Sequence, residues 1–440
     1  MANVNPSPRI RDPKPWQKTP VRVLAASLAG TAIEWYDFFL YGIAASLVFG
    51  TLFFPPDMDP FIGLLLAYAT FGIPFFIRPL GGLIFSHIGD RIGRKKTLVL
   101  TIMLMGIATV LIGLLPGYAS IGIAAPILLT LLRIIQGIGI GGEWGGALLL
   151  AVEYSSTQRR GFFGSVPQIG VPIGLLLGTL VMSVTTLLPE KAFLAWGWRI
   201  PFILSAVLVI VGLWIRKGID ETPAFQKARE KGHIAKVPLL DTFRYHWKAV
   251  LTAVGMKVVE TGPFYIFSTY IISYATTHQE YSDSTVLNAI TLGTLVCSLL
   301  IPWMGHLSDR FGRKPVYITG TFGIILIAFP YFYLISLQSP LMLTLATVAA
   351  LGIIWAAVTA VLGTLYSEAF STQVRYTGVT VGYQLGAALA GGTAPMIAAA
   401  LVQQYGGSWI PLAVYLIVTA LLSLAAISAV RETKGSKLPD

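Results

Sequence analysis

The stretch SHIGDRIGRK at residues 86–95 returns as GHLSDRFGRK at residues 305–314, in the other half of the chain. Each copy lies between two long apolar runs. Its glycines permit a tight turn. Its aspartate, Asp90 or Asp309, is expected at the start of the following helix, where a carboxylate suits the positive helix end. The chain is therefore expected to turn back on itself at two equivalent points.

Three further landmarks recur in the same order in both halves. The pairs are Glu153 and Arg160 with Glu368 and Arg375, Gln168 with Gln384, and Trp198–Pro201 with Trp409–Pro411. Four landmarks in one order indicate an internal duplication.

The composition places most of the chain in lipid. Of 440 residues, 55% are hydrophobic and only 12% charged, and the mean hydropathy is +0.73. Runs of about 20 apolar residues suit helices that cross a bilayer. Continuous runs, as opposed to alternating ones, favour helices over a β-barrel. Twelve spans are predicted, at residues 22–50, 61–85, 97–115, 124–152, 162–188, 200–215, 248–276, 285–304, 315–337, 341–366, 376–403 and 410–430.

The predicted fold is all-α, with twelve transmembrane helices in two pseudo-symmetric six-helix bundles. The most polar interior stretch separates spans six and seven. The predicted segments are an N-terminal tail (1–21), a first bundle (22–215), a linker (216–247), a second bundle (248–430) and a C-terminal tail (431–440). Parallel repeats of this kind are a transporter architecture, with the substrate bound between the halves near the midplane.

The net charge of +11 follows from membrane topology. If the N-terminus is cytosolic, the 31 Lys and Arg residues fall almost entirely in cytosolic segments, apart from Lys191, Arg199 and three inside spans. This is the positive-inside pattern of a multi-pass cell-membrane protein with both termini in the cytosol. No nucleic-acid partner is needed to explain the charge.

No enzymatic or cofactor motif stands out. The single cysteine, Cys297, lies inside a span, so an intramolecular disulfide or a cysteine metal site is not expected. No metal-ligand spacing, phosphate-binding loop or nucleophile with a base is found. The expectation is a protein that is not an enzyme, binds no cofactor or metal and acts as a monomer in the bilayer.

The two repeated loops are predicted to form a cytosolic gate. Their acids and bases can meet the acidic and basic residues at the ends of spans four and ten and the starts of spans five and eleven. The predicted gate residues are Asp90, Arg91, Arg94, Glu153, Arg160, Asp309, Arg310, Arg313, Glu368 and Arg375. The alternative is a set of ordinary positive-inside anchors.

The loop sequences GDRIGRKKTL and SDRFGRKPV resemble the loop of the major facilitator superfamily, although Ser86 replaces its usual glycine. The stretches EWYDF (34–38), RPLGG (78–82), RIIQG (133–137) and WGWRIPF (196–202) are similar to its metabolite:proton symporter branch. That branch includes shikimate, α-ketoglutarate, citrate and proline/betaine permeases. The resemblance implies a cavity lined by spans one, four, seven and ten.

Ionisable groups at bilayer depth are costly and are functional candidates by default. They are Glu34, Asp37, Arg78, Arg133, Glu143, Lys257 and Glu260. Asp37 and Arg133 lie at similar depths, roughly 22 and 18 Å from the cytosolic face, so they are expected to meet. Asp37 is the predicted proton-coupling group, Arg133 its modulator and Glu34 a second acid. The alternative is a static ion pair. For Glu143, among glycines, a structural role is favoured.

Other buried residues are predicted to bind substrate. Lys257 and Glu260 are three apart and can pair on one helix, either as a carboxylate site or as a self-contained pair. Arg78 can contact substrate or join the gate. The remaining substrate-binding candidates are Arg133, Gln168, Gln384, Tyr41, Trp355 and Tyr383.

The predicted function is proton-coupled import of a small organic anion, a mono- or dicarboxylate, by alternating access. Three cations at depth suit a carboxylate, and an acid can carry the compensating proton. Three alternatives remain: a betaine or proline carrier, an exporter, and a membrane-embedded receptor that binds a ligand without moving it.

Overall fold

The computed structural model describes residues 21–92, 94–141, 148, 151–152, 155, 157–217, 246–370 and 375–436. Side chains of residues 21–27, 83, 86–98, 215–217 and 375–377 are not part of this description. Throughout these ranges the regular structure is helical. Glu143 and Glu153 lie outside them.

Twelve long helices follow one another in the part of the chain that the structure describes. They are α1 (21–52), α2 (Pro60–Ile92), α3 (Arg94–Leu114), α4 (Ala124–Ile140), α5 (Arg160–Thr185), α6 (Arg199–Lys217), α7 (Trp247–His278), α8 (Asp283–Phe311), α9 (Arg313–Ser336), α10 (Pro340–Ala369), α11 (375–404) and α12 (Ile410–Ser428). Nine of those described are long and apolar enough to span a bilayer, and α6 meets the same criterion together with the helix Glu190–Gly197 before it, from which it is bent by 41°. The described parts of α3 and α4 are shorter but apolar. The predicted number and order of helices are confirmed.

The helices pack in two groups on one plan. In the first group α1 packs on α5, α2 on α4, and α3 on α6. In the second group α7 packs on α11, α8 on α10, and α9 on α12, which are the equivalent pairs in the repeat. The duplication seen in the sequence is therefore also a duplication of packing. The predicted segment boundaries stay a prediction, because residues 218–245 lie outside the described part of the chain.

The groups meet most extensively through two helix pairs, α2 with α11 and α5 with α8. Small residues bring these backbones together. A Cβ atom on Gly72 would lie 2.5 Å from the carbonyl oxygen of Gly392, and one on Gly161 would lie 2.7 Å from that of Gly305. Such close approach favours van der Waals packing between membrane helices. The seams enclose the space between the two groups.

Irregular turns occur in helices that border this space. Pro74 and Pro79 lie inside α2, and Pro263 lies inside α7. A proline has no amide hydrogen, so the carbonyl four residues earlier loses its helical partner. π-Helical turns also interrupt α1 at Ala45–Phe49 and α7, the equivalent helix in the repeat, at Ile266–Tyr270. Such turns are frequent at functional sites.

Candidate functional site

A small cavity lies between the two halves. Three charged side chains and several aromatic rings surround it. The lining residues are Trp35, Phe75, Arg78, Val171, Lys257, Glu260, Thr261, Phe264, Tyr265, Trp355, Tyr383 and Ala387. The remaining space is about 20 Å³, room for about one water molecule. Because α1, α2 and α5 meet α7, α10 and α11 here, any rocking of the halves would reshape the cavity.

Arg78 is a buried cation in the lining of the cavity. It is only 1% exposed, and its guanidinium lies 4.4 Å from the ring centres of Phe38 and Phe75. Its Nε and Nη2 atoms make no hydrogen bond to any described group. A buried donor without an acceptor is costly, and a guanidinium offers five N–H groups in a fixed fork. The arrangement suits an anion that enters the cavity.

Lys257 and Glu260 form the predicted pair within α7. The Lys257 ammonium also lies 3.6 Å from the ring centre of Tyr383. The Glu260 carboxylate accepts hydrogen bonds from the hydroxyls of Thr261, at 2.7 Å, and Thr359, at 3.2 Å. Glu260 therefore keeps two donors if Lys257 turns away.

The predicted substrate-binding amides lie beside the cavity. Gln168 donates to the carbonyl of Thr359 at 3.3 Å, which ties α5 to α10. Gln384 is 3% exposed, and its Oε1 atom has no hydrogen-bond donor among the described groups. Neither amide lines the cavity in this conformation. Trp355, by contrast, lines it and donates to the backbone carbonyl of Glu260 at 2.5 Å.

Arg133 fastens α4 to α2. Its Nε donates to the carbonyl of Thr70 at 3.3 Å and its Nη2 to that of Phe71 at 2.9 Å. The Thr70 carbonyl is available because Pro74, four residues on, has no amide hydrogen. The guanidinium also lies 3.8 Å from the ring centre of Tyr41. These partners hold Arg133 outside the cavity lining.

The predicted ion pair between Asp37 and Arg133 is wrong for this conformation. Asp37 is 1% exposed and accepts a short hydrogen bond from Ser205 on α6, and the Thr109 side chain on α3 also contacts it. The similar depths predicted for the two residues do not bring their side chains together, because Asp37 points towards α3 and α6 while Arg133 points towards α2. Asp37 and Glu34 line a second small pocket between α1, α3 and α4.

One end of the bundle is closed by charged residues. This gate end is where α5 begins and α8 and α10 end. Arg160 pairs with Glu368 at 2.9 Å across the halves, and Arg313 pairs with Asp309 at 2.8 Å. Arg313 also lies 3.7 Å from Glu368. Four predicted gate residues thus form one network.

Asp309 does not begin the helix that follows it, as its position in the loop had suggested. It lies in the last turn of α8 and accepts hydrogen bonds from the amides of Gly161 and Phe162, at 2.8 and 2.9 Å. The positive helix end that it faces is therefore that of α5, in the other half. The Arg310 side chain is exposed. The side chains of Asp90, Arg91, Arg94, Glu153 and Arg375 lie outside the described set.

The segment after α12 reinforces the gate end, which sequence reasoning missed. The Glu432 carboxylate accepts hydrogen bonds from the amides of Arg313 and Lys314, at 3.0 and 2.9 Å, and so caps α9. The Thr433 hydroxyl donates a short hydrogen bond to Glu368. Nothing in the local sequence pairs residues so far apart.

Polar side chains close the opposite end. Tyr68 on α2 and Ser273 on α7 share a 2.8 Å hydrogen bond, and Ser46 donates to the carbonyl of Thr269 at 3.1 Å. Ser183 donates to Asn288 at 2.8 Å between α5 and α8. With contacts across the halves at both ends, the cavity is occluded.

Comparison with known proteins agrees with this architecture. The family model described as Major Facilitator Superfamily matches residues 27–391 and 289–439. The chain is 42% identical to the shikimate transporter of Escherichia coli, covering 94% of this chain and 95% of that one. It is 38% identical to a proline/betaine transporter of Salmonella typhimurium, covering 94% and 84%.

Solved structures share the fold at much lower identity. A D-xylose-proton symporter superposes with a TM-score of 0.72 at 20% identity, over 95% of this chain and 99% of that one. The twelve helices, their repeated packing and the matched family together establish that this chain is a multi-pass membrane transporter that belongs to the major facilitator superfamily.

Proposed function

We propose that this transporter imports a small organic anion together with protons, by alternating access. The buried guanidinium of Arg78 carries the proposal, because two of its nitrogens lack an acceptor at the centre of an occluded cavity. A substrate carboxylate would supply two acceptor oxygens in the geometry that an arginine fork prefers. Mono- or dicarboxylates fit this requirement.

Lys257 supplies a second cation for the substrate. On binding, its ammonium turns from Glu260 towards a substrate oxygen, while Thr261 and Thr359 continue to donate to Glu260. The aromatic rings of Trp35, Phe264 and Trp355 would cover the apolar part of the solute. Binding therefore exchanges one internal ion pair for contacts with the substrate.

Asp37 carries the proton in this proposal. Its carboxylate is buried and its nearest partners are hydroxyl groups, not a cation. An ionisable group at this depth is costly to keep and is a candidate proton carrier. A proton taken up here offsets the charge of the anion, and its release on the other side completes the cycle. Asp37 and the substrate occupy separate pockets, so the coupling is indirect.

The gate end is assigned to the cytosolic face of the inner membrane, with both termini on that side, since basic residues concentrate there. The network of Arg160, Asp309, Arg313 and Glu368 must break when the halves rock towards the cytosol. The hydroxyl contacts at the opposite end must break for the substrate to enter.

The charge at Asp309 is expected to hold the gate end shut. In a Cys297→Ser background with Ser165→Cys as reporter, Asp309→Asn should raise the rate of thiol labelling about tenfold, the equivalent of about 1.4 kcal/mol. Ser165 is buried beside Gly305, and the amide retains only part of the bonding to the α5 amides. Asp283→Asn, at the other end of α8, is the control. An unchanged labelling rate would exclude Asp309 from gating.

Uptake into proteoliposomes tests the proposed function. With a pH gradient imposed, acid outside, labelled mono-, di- and ring carboxylates are offered in turn. We expect at least one carboxylate to accumulate, and collapse of the gradient by a protonophore to abolish the accumulation. Accumulation that ignores the gradient would refute proton symport, and carboxylates that neither accumulate nor exchange would refute the substrate class.

A second candidate, a carrier of betaine or proline, has support from the same cavity. Quaternary ammonium groups bind among aromatic rings, and six aromatic residues line the cavity together with Glu260. This function predicts betaine accumulation in the same assay and competition by proline. If ligand binds but no counterflow of labelled solute occurs, the protein is a receptor.

A further inference from the structure

A line of hydrogen bonds crosses the first bundle between its two predicted coupling residues. Arg133 donates from Nη1 to Oε1 of Gln136 at 2.6 Å. Gln136 donates from Nε2 to the hydroxyl of Thr109 at 2.8 Å. In this structure the Thr109 hydroxyl donates to the carbonyl of Met105 at 3.0 Å, and the Thr109 side chain lies beside the Asp37 carboxylate, which lines the same pocket as Met105. All four residues are essentially buried, so water does not compete for these groups.

The direction of this line is fixed by chemistry. A guanidinium can only donate, so the amide oxygen of Gln136 must face Arg133 and its NH2 group must face Thr109. The hydroxyl of Thr109 then accepts one bond and has one proton left to give. In this structure that proton goes to the carbonyl of Met105 at 3.0 Å, and the neighbouring carboxylate of Asp37 is the alternative acceptor.

We infer that Gln136 and Thr109 are positioning residues that transmit the protonation state of Asp37 to Arg133, and from there to α2. The inference rests on the proposed role of Asp37 as proton carrier. When Asp37 is ionised, every bond in the line points from a cation to an anion, and such chains strengthen one another. When Asp37 is protonated, the Thr109 proton turns to Met105 and the line loses its anionic end.

The far end of the line reaches the substrate cavity through α2. Arg133 holds the carbonyls of Thr70 and Phe71, in the turn that Pro74 interrupts. Arg78 lies about one turn further along the same helix. If the hydrogen bonds from Arg133 to these two carbonyls weaken, Arg78 would therefore move relative to α7. This movement connects proton binding to substrate binding without a direct contact.

The described titratable groups next to Asp37 lie on α1 itself: Glu34 lines the same pocket, and Tyr36 is the adjacent residue. On α4, Arg133 is connected to Asp37 only through Gln136 and Thr109. The described parts of α3 and α6 present hydroxyls to it, those of Thr109 and Ser205. Any shift in the titration of Asp37 must be judged against these neighbours.

Infrared spectroscopy of the purified protein tests the inference without relying on transport. The carboxylic C=O band of Asp37 is identified by its loss in Asp37→Asn and followed during a pH titration. We expect Gln136→Met and Thr109→Val each to raise the midpoint of this band by about one pH unit, since ionised Asp37 loses stabilisation. Thr321→Val is the matched control, because Thr321 is a buried threonine on α9 that makes the same i−4 bond.

A double-mutant cycle separates the relay from direct electrostatics. Arg133→Met should shift the midpoint in the wild-type background and have little further effect once Gln136 is methionine. Equal shifts in both backgrounds would mean that Arg133 acts on Asp37 through space, and the relay would be overturned. Unmoved midpoints in Gln136→Met and Thr109→Val would overturn it as well.

Failure of the relay and failure of the proposed function can be distinguished. If the midpoints shift as expected but uptake ignores a pH gradient, the relay stands and proton symport fails. If uptake follows the gradient while the Asp37 band does not respond to Gln136 or Thr109, symport stands and the relay fails. An Asp37 band that never titrates would overturn the relay directly.

Discussion

Replacing Arg78 by methionine should reduce carboxylate uptake by on the order of a hundredfold, while the protein keeps its fold. Removing one partner of a buried charge pair costs about 3 kcal/mol, which corresponds to that factor. In the occluded structure, however, Nε and Nη2 of Arg78 have no acceptor among the described groups, so methionine removes few internal hydrogen bonds. Function and stability should therefore separate at this position.

Arg78 variants are compared by uptake, ligand-induced thermal shift and melting temperature without ligand. Arg78→Lys retains the charge but loses the fork, so we expect intermediate uptake. Arg199→Met is a control, since Arg199 bonds the carbonyls of Gly113 and Leu115 away from the cavity. A large drop in melting temperature for Arg78→Met, with uptake preserved in the folded fraction, would show that Arg78 serves packing among Phe38, Phe75 and Trp35.

Replacing Asp37 by asparagine should abolish accumulation driven by a pH gradient and leave exchange partly intact. The amide has almost the same shape and can still accept a hydrogen bond from Ser205, but it cannot bind or release a proton. Exchange needs only the loaded carrier to reorient, whereas net accumulation needs the proton. The remaining exchange should no longer depend on pH.

Accumulation and counterflow of one labelled substrate are measured side by side for this variant. Glu190→Gln, an exposed acid before α6, should behave as wild type in both assays. If Asp37→Asn still concentrates substrate under a pH gradient, another acid carries the proton, and Glu34 in the same pocket becomes the candidate.

Features that depend on hydropathy, or on contacts within a single helix, could be predicted from the sequence. Apolar length determined the twelve helices, and repeated landmarks indicated two equivalent groups. The Lys257–Glu260 pair could also be predicted, since residues three apart face the same side of any helix. These features require no knowledge of how one helix is rotated against another.

Contacts between helices could not be predicted in the same way. Residue counting gives the depth of Asp37 and Arg133 but not the direction of each side chain, which changes by about 100° per residue. Rotation directs Asp37 to Ser205 and Arg133 to a proline-freed carbonyl. The sequence likewise assigns Asp309 to the loop in which it stands. Only the packing of α5 on α8 shows that Asp309 caps the start of α5, in the opposite half.

The segment after α12 ties closure of the gate end to synthesis of all twelve helices. Glu432 caps α9 and Thr433 bonds Glu368, so these two partners become available only after the last helix has been made and inserted. A chain that stops short of Glu432 leaves the α9 amides without this cap and Glu368 without the Thr433 hydroxyl. It also loses the Ser436 carbonyl, to which Arg160 of the other half donates at 3.1 Å, so the two halves have one contact fewer at the gate end.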